Sequence, residues 1–291
     1  VIVPFYLRGL WGSQFSRSSN KLKTLRRSGY YREIIVAFGQ PQPKDSSAVT
    51  IKKRVFDLSV QSWQKHVENL PTLTNAWISS VKKGERRKLS LADGISAPLT
   101  ADKALAAAWC LSRRIHRLSP EQNVGLLLPT STGGVLCNMA TLFAGKTIVN
   151  LNYTANEAAL NTAIEQADIR TIYTSRRFIE RLEKKNGDVI TVLQGKHIVY
   201  LEDLRSEIHF NESFWRWLAI RLLPTRILKR VCNHTHDSQQ TAAILFSSGS
   251  EGLPKGVMLS HQNIMANLKQ ISDVVNTQEQ DVLMSCLPLF H

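Results

Sequence analysis

The feature that most constrains the fold is an alternation of short apolar runs with amphipathic segments of helical length between residues 101 and 246. Strands that alternate with helices are typical of a parallel sheet covered by helices on both faces. The sequence therefore predicts an α/β fold, with helices at 101–118, 134–144, 155–167 and 176–185, and strands at 123–128, 147–151, 169–174, 197–200 and 242–246.

The first hundred residues have a different pattern, with β-branched runs at 1–6 and 34–39 on either side of a basic segment. Apolar residues then recur every three or four positions, which predicts a helix over 46–70 that ends at Pro71. We expect one face of this helix to lie in the core, namely Phe56, Val60, Trp63 and Val67. A shorter helix over 75–83 leads into a polar stretch that is the best candidate for a domain boundary.

Charge is unevenly distributed along the chain. The 291 residues include 37 Lys and Arg against 23 Asp and Glu, a net charge of +14. Residues 1–100 hold 17 basic and 6 acidic side chains, a net +11, whereas the remainder hold 20 and 17. A basic surface favours anionic partners such as lipid headgroups, nucleotides or nucleic acid.

Several classes of protein are excluded by composition. A hydrophobic content of 43% is too high for a disordered chain. No apolar run reaches the length of a transmembrane helix, and no signal peptide opens the chain. The cysteines are widely spaced and the histidines lack metal-ligand spacing, so we expect buried free thiols and no protein-ligated metal; the cysteines are Cys110, Cys137, Cys232 and Cys286.

The segment 242–259 carries the clearest chemical signal, an apolar strand, a loop rich in Ser and Gly, and a second apolar strand. Glycines let the backbone approach a bulky anion, hydroxyls donate to its oxygens, and a lysine neutralises charge as a phosphate departs. The candidate phosphate-binding residues are Ser247, Ser248, Gly249, Ser250, Glu251, Gly252 and Gly256, with Lys255 as the candidate catalytic residue. The register does not fit a Walker loop, and a glycine-rich hairpin with exposed serines is the alternative that remains open.

The string SSGSEGLPKGV resembles the phosphate loop of the adenylate-forming superfamily, the acyl-CoA synthetases and their relatives. That family usually has Thr where this chain has Glu251, so the hydroxyl contact is not carried over and Glu251 offers a carboxylate to magnesium instead. Downstream, LPLFH resembles the motif that lines the acyl pocket, which implies that Phe290 and His291 contact substrate. The resemblance spans roughly residues 90–291. It implies Mg²⁺-dependent ATP chemistry, in which a fatty acid becomes an acyl adenylate and then passes to the thiol of acyl carrier protein or CoA.

The first part of the chain, VIVPFYLRGLWGSQFSRS followed by EIIVAFGQPQP, resembles the C-terminal half of a glycerolipid acyltransferase domain. This order of domains resembles the bacterial family that joins a lysophosphatidylethanolamine acyltransferase to an acyl-carrier-protein synthetase. The resemblance implies an acyltransferase part at 1–85 and the N-terminal portion of an AMP-binding domain at 86–291. It also implies lysophospholipid as a substrate, an anionic membrane surface as a partner, and a location at the cytoplasmic face of the bacterial inner membrane. No His precedes His66, so the acyltransferase H-x-x-x-x-D motif is absent and we expect this fragment to be inactive by itself.

Two other interpretations remain open, a plain long-chain fatty acyl-CoA ligase with a basic extension and a non-enzymatic basic module that binds membranes. Nucleic acid is not an expected partner, because the basic residues lack regular aromatic interleaving. The basic residues Lys21, Lys23, Arg26 and Arg27 are a candidate patch for anionic headgroups. The segment 214–231 mixes two tryptophans with arginines, which suits either a membrane interface or a helix packed in the domain.

Overall fold

A computed structural model describes residues 1–10, 17, 33–84, 88–185, 191–247, 254–275 and 281–290. The chain divides into two compact units. One, the N-terminal unit, comprises Val1–Leu70 and Met265–Leu283; the other, the sheet unit, comprises Pro71–Ile264 and Met284–His291. The four candidate headgroup residues of the basic segment lie outside the described residues.

In the N-terminal unit, strands β1 (Phe5–Arg8) and β2 (Ile35–Phe38) pair antiparallel. Helix α1 (Ala48–Glu68) packs against both strands, and the Ser47 side chain caps it by accepting a hydrogen bond from the Thr50 amide. The first strand begins later than the sequence predicted, because Ile2 forms only an isolated bridge to Gln42.

The prediction for the buried face of α1 was wrong for Phe56 and Val60, whereas Trp63 and Val67 are half-buried and the Arg8 guanidinium of β1 lies 4.1 Å from the centre of the Trp63 ring. Phe56 and Val60 are 66% and 42% exposed, whereas Leu58 is only 5% exposed. The helix carries two adjacent apolar stripes, and the strand pair covers the one that runs through Ile51, Val55 and Leu58. Periodicity alone could not choose between these stripes, because both repeat every three or four residues.

The sheet unit contains a sheet in the order β10-β9-β6-β5-β7-β8, in which only β10 is antiparallel to its neighbour. This confirms the predicted α/β fold with a largely parallel sheet. A separate two-stranded ladder joins β3 and β4. The strands are β3 (Leu89–Leu91), β4 (Leu99–Thr100), β5 (Asn123–Leu127), β6 (Thr147–Asn150), β7 (Thr171–Thr174), β8 (His197–Tyr200), β9 (Thr241–Phe246) and β10 (Gly256–Ser260).

Helices cover both faces of the sheet, because alternate strand residues point into two separate hydrophobic cores. Leu126 belongs to one core and Leu127 to the other. The helices of the sheet unit are α2 (Leu73–Lys83), α3 (Ala101–Leu118), α4 (Thr132–Phe143), α5 (Glu157–Gln166), α6 (Arg176–Lys185), α7 (Leu201–Ser206), α8 (Phe210–Leu222) and α9 (Thr225–Cys232). The last helix, α10 (His261–Val275), begins in the sheet unit and belongs to the N-terminal unit from Met265 onward. In the part of the chain described, no helix is long and apolar enough to cross a bilayer.

The boundary between the compact units falls after Leu70. Helix α2 lies with the sheet unit, where the Lys82 ammonium donates to the Ile220 and Leu223 carbonyls at the end of α8, at 3.0 and 2.8 Å. A cation at this position satisfies carbonyls that have no partner within the helix. The division into 1–85 and 86–291, which concerns domain identity, stays a prediction.

Three of the four cysteines are buried as predicted, Cys110, Cys137 and Cys232. Burial raises the pKa of the Cys137 thiol to about 12, so this side chain behaves as a small apolar group. For Cys286 the prediction was wrong, because it is exposed in an irregular segment that turns no face toward the core.

Candidate active site

The strands β5, β6, β7, β8 and β9 run parallel, so their carboxyl ends lie along one edge of the sheet. Open α/β sheets bind ligands in a crevice at this edge. Here the edge carries polar segments that leave β5 at Thr130, β6 at Asn150 and β9 at Ser247. The geometry of the fold therefore directs attention to this edge.

The two ends of the Ser- and Gly-rich loop are held together by backbone hydrogen bonding. The Ser247 amide donates to the Lys255 carbonyl at 3.0 Å, and the Lys255 amide donates to the Ser247 hydroxyl at 3.2 Å. The next residues, Phe246 and Gly256, are paired in the β9–β10 ladder. The segment between is thus anchored as the connection of a hairpin, while Ser248, Gly249, Ser250, Glu251 and Gly252 lie outside the described residues.

Lys255 is available to a ligand, whereas Gly256 is constrained by packing. The Lys255 side chain is exposed at the mouth of the anchored loop, where its ammonium can meet a charged ligand. A Cβ atom at Gly256 would lie 3.1 Å from Cε1 of Phe246 and 3.2 Å from Cγ2 of Ile244. Glycine at position 256 is therefore explained by strand packing as well as by a phosphate.

A cavity of about 340 Å³ opens beside this loop. Its size lies within the range of about 300–1,000 Å³ that is typical of small-molecule sites. Ser247 and Pro254, which bracket the loop segment, form part of its wall. The remaining lining comes from the end of β6 and from α5 and the turn before it: Asn150, Leu151, Asn152, Thr154, Ala155, Asn156, Ala159, Leu160 and Ala163, together with Phe246 at the end of β9.

The cavity's amide side chains were not among the predicted site residues. Asn150 is held in place, because its side-chain amide donates to Oδ1 of Asn138 at 2.9 Å. Asn138 in turn donates to the Gly134 carbonyl at 2.8 Å, which ties the pair to the first turn of α4. The sequence signal was the polar run NLNYTAN directly after a buried strand, but no motif distinguished it from an ordinary loop.

Phe290 lies at the same edge of the sheet. Its ring is 6% exposed and meets the Tyr153 ring edge-on with centroids 5.0 Å apart; Tyr153 meets Phe178 in the same way. The segment before it is fixed by the Thr130 hydroxyl, which donates to the Leu287 carbonyl at 2.7 Å. These contacts place Phe290 in an aromatic cluster beside β6, while its predicted neighbour His291 lies outside the described residues.

Asp93 is a second residue that sequence reasoning missed. One carboxylate oxygen accepts from the Thr132 amide at the start of α4 at 2.7 Å, and the other accepts from the Ser96 amide and hydroxyl at 2.6 and 2.7 Å. Burial by itself would raise the pKa of Asp93, but these hydrogen bonds outweigh it and hold the pKa well below its usual value. The carboxylate thus fastens a loop to the positive end of α4, which is a structural role.

Across the residues that the structure describes, no cluster of three or more His, Cys, Asp or Glu side chains could hold a metal ion. The polar groups described in the cavity wall are amides and hydroxyls, which donate to phosphate and ribose oxygens. The arrangement is therefore suited to a polar ligand that carries oxygen atoms as hydrogen-bond acceptors.

Comparison with known proteins agrees with this geometry. Residues 86–291 match the family model described as AMP-binding enzyme. The chain belongs to this family. The matched region includes the carboxyl edge, the anchored loop and the aromatic cluster.

Among curated relatives, the chain is 29% identical over 195 residues to long-chain-fatty-acid–CoA ligase 1 of Schizosaccharomyces pombe, which covers 65% of this chain and 28% of that protein. It is 46% identical over 59 residues to a chloroplastic long-chain-fatty-acid–[acyl-carrier-protein] ligase of Arabidopsis thaliana, covering 20% of this chain and 8% of that protein. The chain spans about a third of the length of two further curated relatives, 32% of 4-coumarate–CoA ligase 1 of Arabidopsis thaliana and 36% of 4-coumarate–CoA ligase 1 of Narcissus pseudonarcissus.

Among solved structures, the chain is similar to ATP-bound MatB from Rhodopseudomonas palustris, with a TM-score of 0.57 and 20% identity over 75% of this chain and 41% of that one. At this identity the likeness shows the α/β fold of adenylate-forming enzymes.

Proposed function

We propose that the protein containing this chain is an ATP-dependent fatty acid ligase that works through an acyl adenylate. The observation that carries the proposal is the cavity at the carboxyl edge, whose wall includes both residues that bracket the Ser- and Gly-rich loop. Membership of the AMP-binding enzymes and the resemblance to fatty acid ligases support the same reaction.

In the first step a carboxylate oxygen bonds to the α-phosphorus of ATP, and the bond from that phosphorus to pyrophosphate breaks. Negative charge accumulates on the departing pyrophosphate, and in this proposal the exposed Lys255 side chain, which follows the loop, stabilises that charge with its ammonium group. The ordered amides of Asn150 and its neighbours hold the nucleotide by hydrogen bonds that need no reorganisation. Magnesium carried by the phosphates would neutralise part of their charge, with Glu251 the one carboxylate in the loop sequence.

In the second step a thiol sulfur bonds to the acyl carbon, AMP leaves, and the thiol proton passes to solvent. The aromatic cluster of Tyr153, Phe178 and Phe290 offers an apolar wall for the acyl chain. Relatives named for a carrier protein and for CoA both match this chain, so acyl carrier protein and CoA are the two thiols to compare.

The test is fatty-acid-dependent exchange of pyrophosphate into ATP by the intact protein. We expect Lys255→Ala to slow exchange by about 100-fold, the size of effect seen when one group that stabilises developing charge is removed. Fatty acid affinity should change little, since the lysine acts mainly as pyrophosphate departs. Lys103→Ala removes an exposed lysine from α3 and is the matched control. Unchanged exchange in Lys255→Ala would remove this lysine from the mechanism.

We also propose, as a second activity, that the intact protein transfers the activated acyl group to a lysophospholipid at the cytoplasmic face of the bacterial inner membrane. The supporting observation is the pairing of the Val-Pro motif with the end of β2, where the Gly39 amide donates to the Pro4 carbonyl at 2.8 Å. The strongly basic first hundred residues also suit an anionic lipid substrate.

Gly39→Ala tests this second activity, because a Cβ atom there would lie 2.9 Å from Cγ of Pro4. We expect lower transfer of acyl groups to lysophosphatidylethanolamine with unchanged pyrophosphate exchange. Gly94→Ala is the control, since its Cβ would meet no atom within 4 Å. Exchange without any lysophospholipid transfer in the wild-type protein would instead favour a plain fatty acyl-CoA ligase.

A further inference from the structure

Helix α8 turns its charged side chains inward and exposes several large apolar side chains, while Trp217 and Ile220 pack in the core. The Trp215 and Leu222 side chains are 65% and 71% exposed, and Phe210 at the start of the helix is 80% exposed. On a helix with 100° per residue, Trp215, Leu222 and Leu218 share one face. A surface helix ordinarily has the opposite arrangement, with its apolar stripe toward the core.

The inward charges form ion pairs. Glu212 accepts from Arg114 of α3 at 2.8 Å and also from Arg216 one turn along its own helix. Arg221 donates to the buried carboxylate of Asp102, again at 2.8 Å. These contacts fix the orientation of α8, so the exposure of its apolar face follows from how the helix is anchored.

The same contacts give the two tryptophans of α8 different environments. The Trp217 indole N–H donates to Asp102 at 3.0 Å, and the ring packs against the core. Trp215 has no such role, and its ring stands outside beside that of Phe214, with centroids 5.8 Å apart. Two interpretations were left open for segment 214–231, a helix packed in the domain and a membrane interface. Trp217 fits the packed helix, and the exposed Trp215 fits the membrane interface.

Helix α9 extends the apolar surface and adds positive charge. Ile227 and Val231 are 46% and 54% exposed. Arg226 and Arg230 are exposed beside them, and neither forms an ion pair with any residue that the structure describes. The sequence from 213 to 236 contains no Asp or Glu. A mixture of exposed indole, aliphatic and cationic groups is typical of the headgroup boundary of a bilayer.

A basic cleft of about 610 Å³ adjoins this surface and shares Val231 with it. Its rim carries exposed cationic or titratable side chains, Arg113, His116, Arg117 and His234, and of these Arg117 is paired with Glu207 at 3.1 Å. Its one acidic residue, Glu212, is already neutralised by Arg114 and Arg216. The cleft therefore has the chemistry that accepts a phosphodiester.

We propose that α8, α9 and this cleft form a docking surface for an anionic lipid bilayer. Trp215 and Leu222 enter the boundary between headgroups and acyl chains, Arg226 and Arg230 meet lipid phosphates, and the cleft takes one headgroup. The surface is separate from the cavity at the carboxyl edge, so docking does not depend on the proposed ligase reaction. A protein partner fits less well. An anionic phospholipid layer by itself offers both an apolar region for the exposed indole and phosphates for the unpaired cations.

The experiment is sedimentation of the intact protein with vesicles of equal parts phosphatidylcholine and phosphatidylglycerol, and with pure phosphatidylcholine vesicles. Wild type should sediment with the anionic vesicles and be released by salt. Trp215→Ser with Leu222→Ser should weaken binding at least about tenfold, because both side chains leave water on docking. Ile95→Ser, which changes an exposed apolar side chain elsewhere in the sheet unit, is the matched control.

Charge reversal gives an independent test that keeps the apolar face intact. Arg226→Glu with Arg230→Glu should weaken binding to anionic vesicles at least about tenfold, since each surface cation contributes on the order of 1 kcal/mol. Arg170→Glu with Lys196→Glu makes the same change in net charge at the loops before β7 and β8 and should retain binding.

Thermal melting and pyrophosphate exchange should be unchanged in all four variants. Vesicle binding that survives both α8–α9 double variants would overturn the proposal. A second result would also overturn it: the wild-type protein is a dimer, and Trp215→Ser with Leu222→Ser makes it a monomer without changing vesicle binding. The apolar face would then be an interface between copies of the chain.

Discussion

Two regions of the sheet unit depart from the ordinary distribution of side chains in opposite ways. At the carboxyl edge of the sheet, ordered amides and hydroxyls gather around a cavity. On α8, charged groups pair inward while Trp215 and Leu222 face solvent. The ordered polar groups of the cavity and the exposed apolar groups of α8 both cost free energy, since polar groups lose freedom when they are ordered and apolar groups gain by burial. The contrast indicates that one region is built for a polar ligand and the other for an apolar surface.

The largest effect is expected from a substitution of Asp102, the buried residue that anchors α8. Its carboxylate is 1% exposed and accepts from Arg221, Trp217 and Thr100. Asp102→Asn should lower the free energy of unfolding by about 3 kcal/mol, because it removes the negative charge of a buried carboxylate that accepts from a cationic side chain. Vesicle binding should weaken as α8 loosens, whereas pyrophosphate exchange below the melting temperature should persist.

Chemical denaturation measures this loss, and Asp168→Asn is its control, because Asp168 and Arg170 form an exposed pair. Position 168 has φ of 45°, which Asn accepts readily. Equal losses in the two variants would mean that Asp102 does not anchor α8.

Gly134 gives the corresponding test at the carboxyl edge. A Cβ atom there would lie 2.5 Å from the Pro129 carbonyl oxygen and 2.9 Å from Cδ1 of Leu289. Gly134→Ala should cost about 2 kcal/mol through overpacking. It should raise the KM for fatty acid by displacing the segment that carries Phe290, with vesicle binding unchanged.

Gly133 is the neighbouring glycine on the same helix and the matched control, because its nearest Cβ contact would be 3.7 Å away. Gly133→Ala should be neutral or stabilising by up to about 1 kcal/mol. Similar melting temperatures and KM values for the two variants would contradict the packing of Leu289 against α4.

A smaller effect is expected from acidification, and it should touch both regions together. His261 is 1% exposed, its Nδ1 accepts from the Leu73 amide, and burial lowers its pKa to about 4. Below pH 6.5 this histidine is protonated in the unfolded chain but stays neutral in the folded chain. The free energy of unfolding is therefore highest above that pH and decreases as the pH falls. The loss reaches about 1.4 kcal/mol at pH 5.5.

Thermal melting between pH 7 and 5 measures this effect. His261→Gln keeps a hydrogen-bond acceptor and should flatten the dependence, whereas His234→Gln, which changes an exposed ring, should retain most of it. A wild-type melting temperature that rises on acidification would contradict the assignment of a neutral buried His261.

Local pattern predicted the elements of the sheet unit well. Helix α3 and strand β8 have the predicted bounds, because amphipathic periodicity and short β-branched runs are local properties. Helix α10 was not predicted, although Ile264, Leu268 and Ile271 recur at helical spacing. The buried face of a helix was harder to predict than the helix itself. Helix α1 buries Leu58 rather than Phe56, and α8 exposes Trp215 rather than Trp217, because the elements packed against a helix decide which of two adjacent stripes is covered.

The candidate site was predictable only in part. The loop string identified Ser247 and Lys255, and the structure brings their backbones together. The cavity amides at Asn150 and Asn152 could not be identified, because their meeting with β9 depends on strand order in the sheet. Asp93 was missed for the same reason, since its partner Thr132 is distant in sequence.

The most direct test of the account is to identify the products that the intact protein forms from ATP and a long-chain fatty acid without any thiol. Attack at the α-phosphorus predicts an acyl adenylate and one equivalent of pyrophosphate, both detectable by mass spectrometry and both strongly reduced in Lys255→Ala. Formation of ADP with an acyl phosphate, or equal yields of acyl adenylate from wild type and Lys255→Ala, would contradict the assignment of the anchored loop as the site of pyrophosphate release.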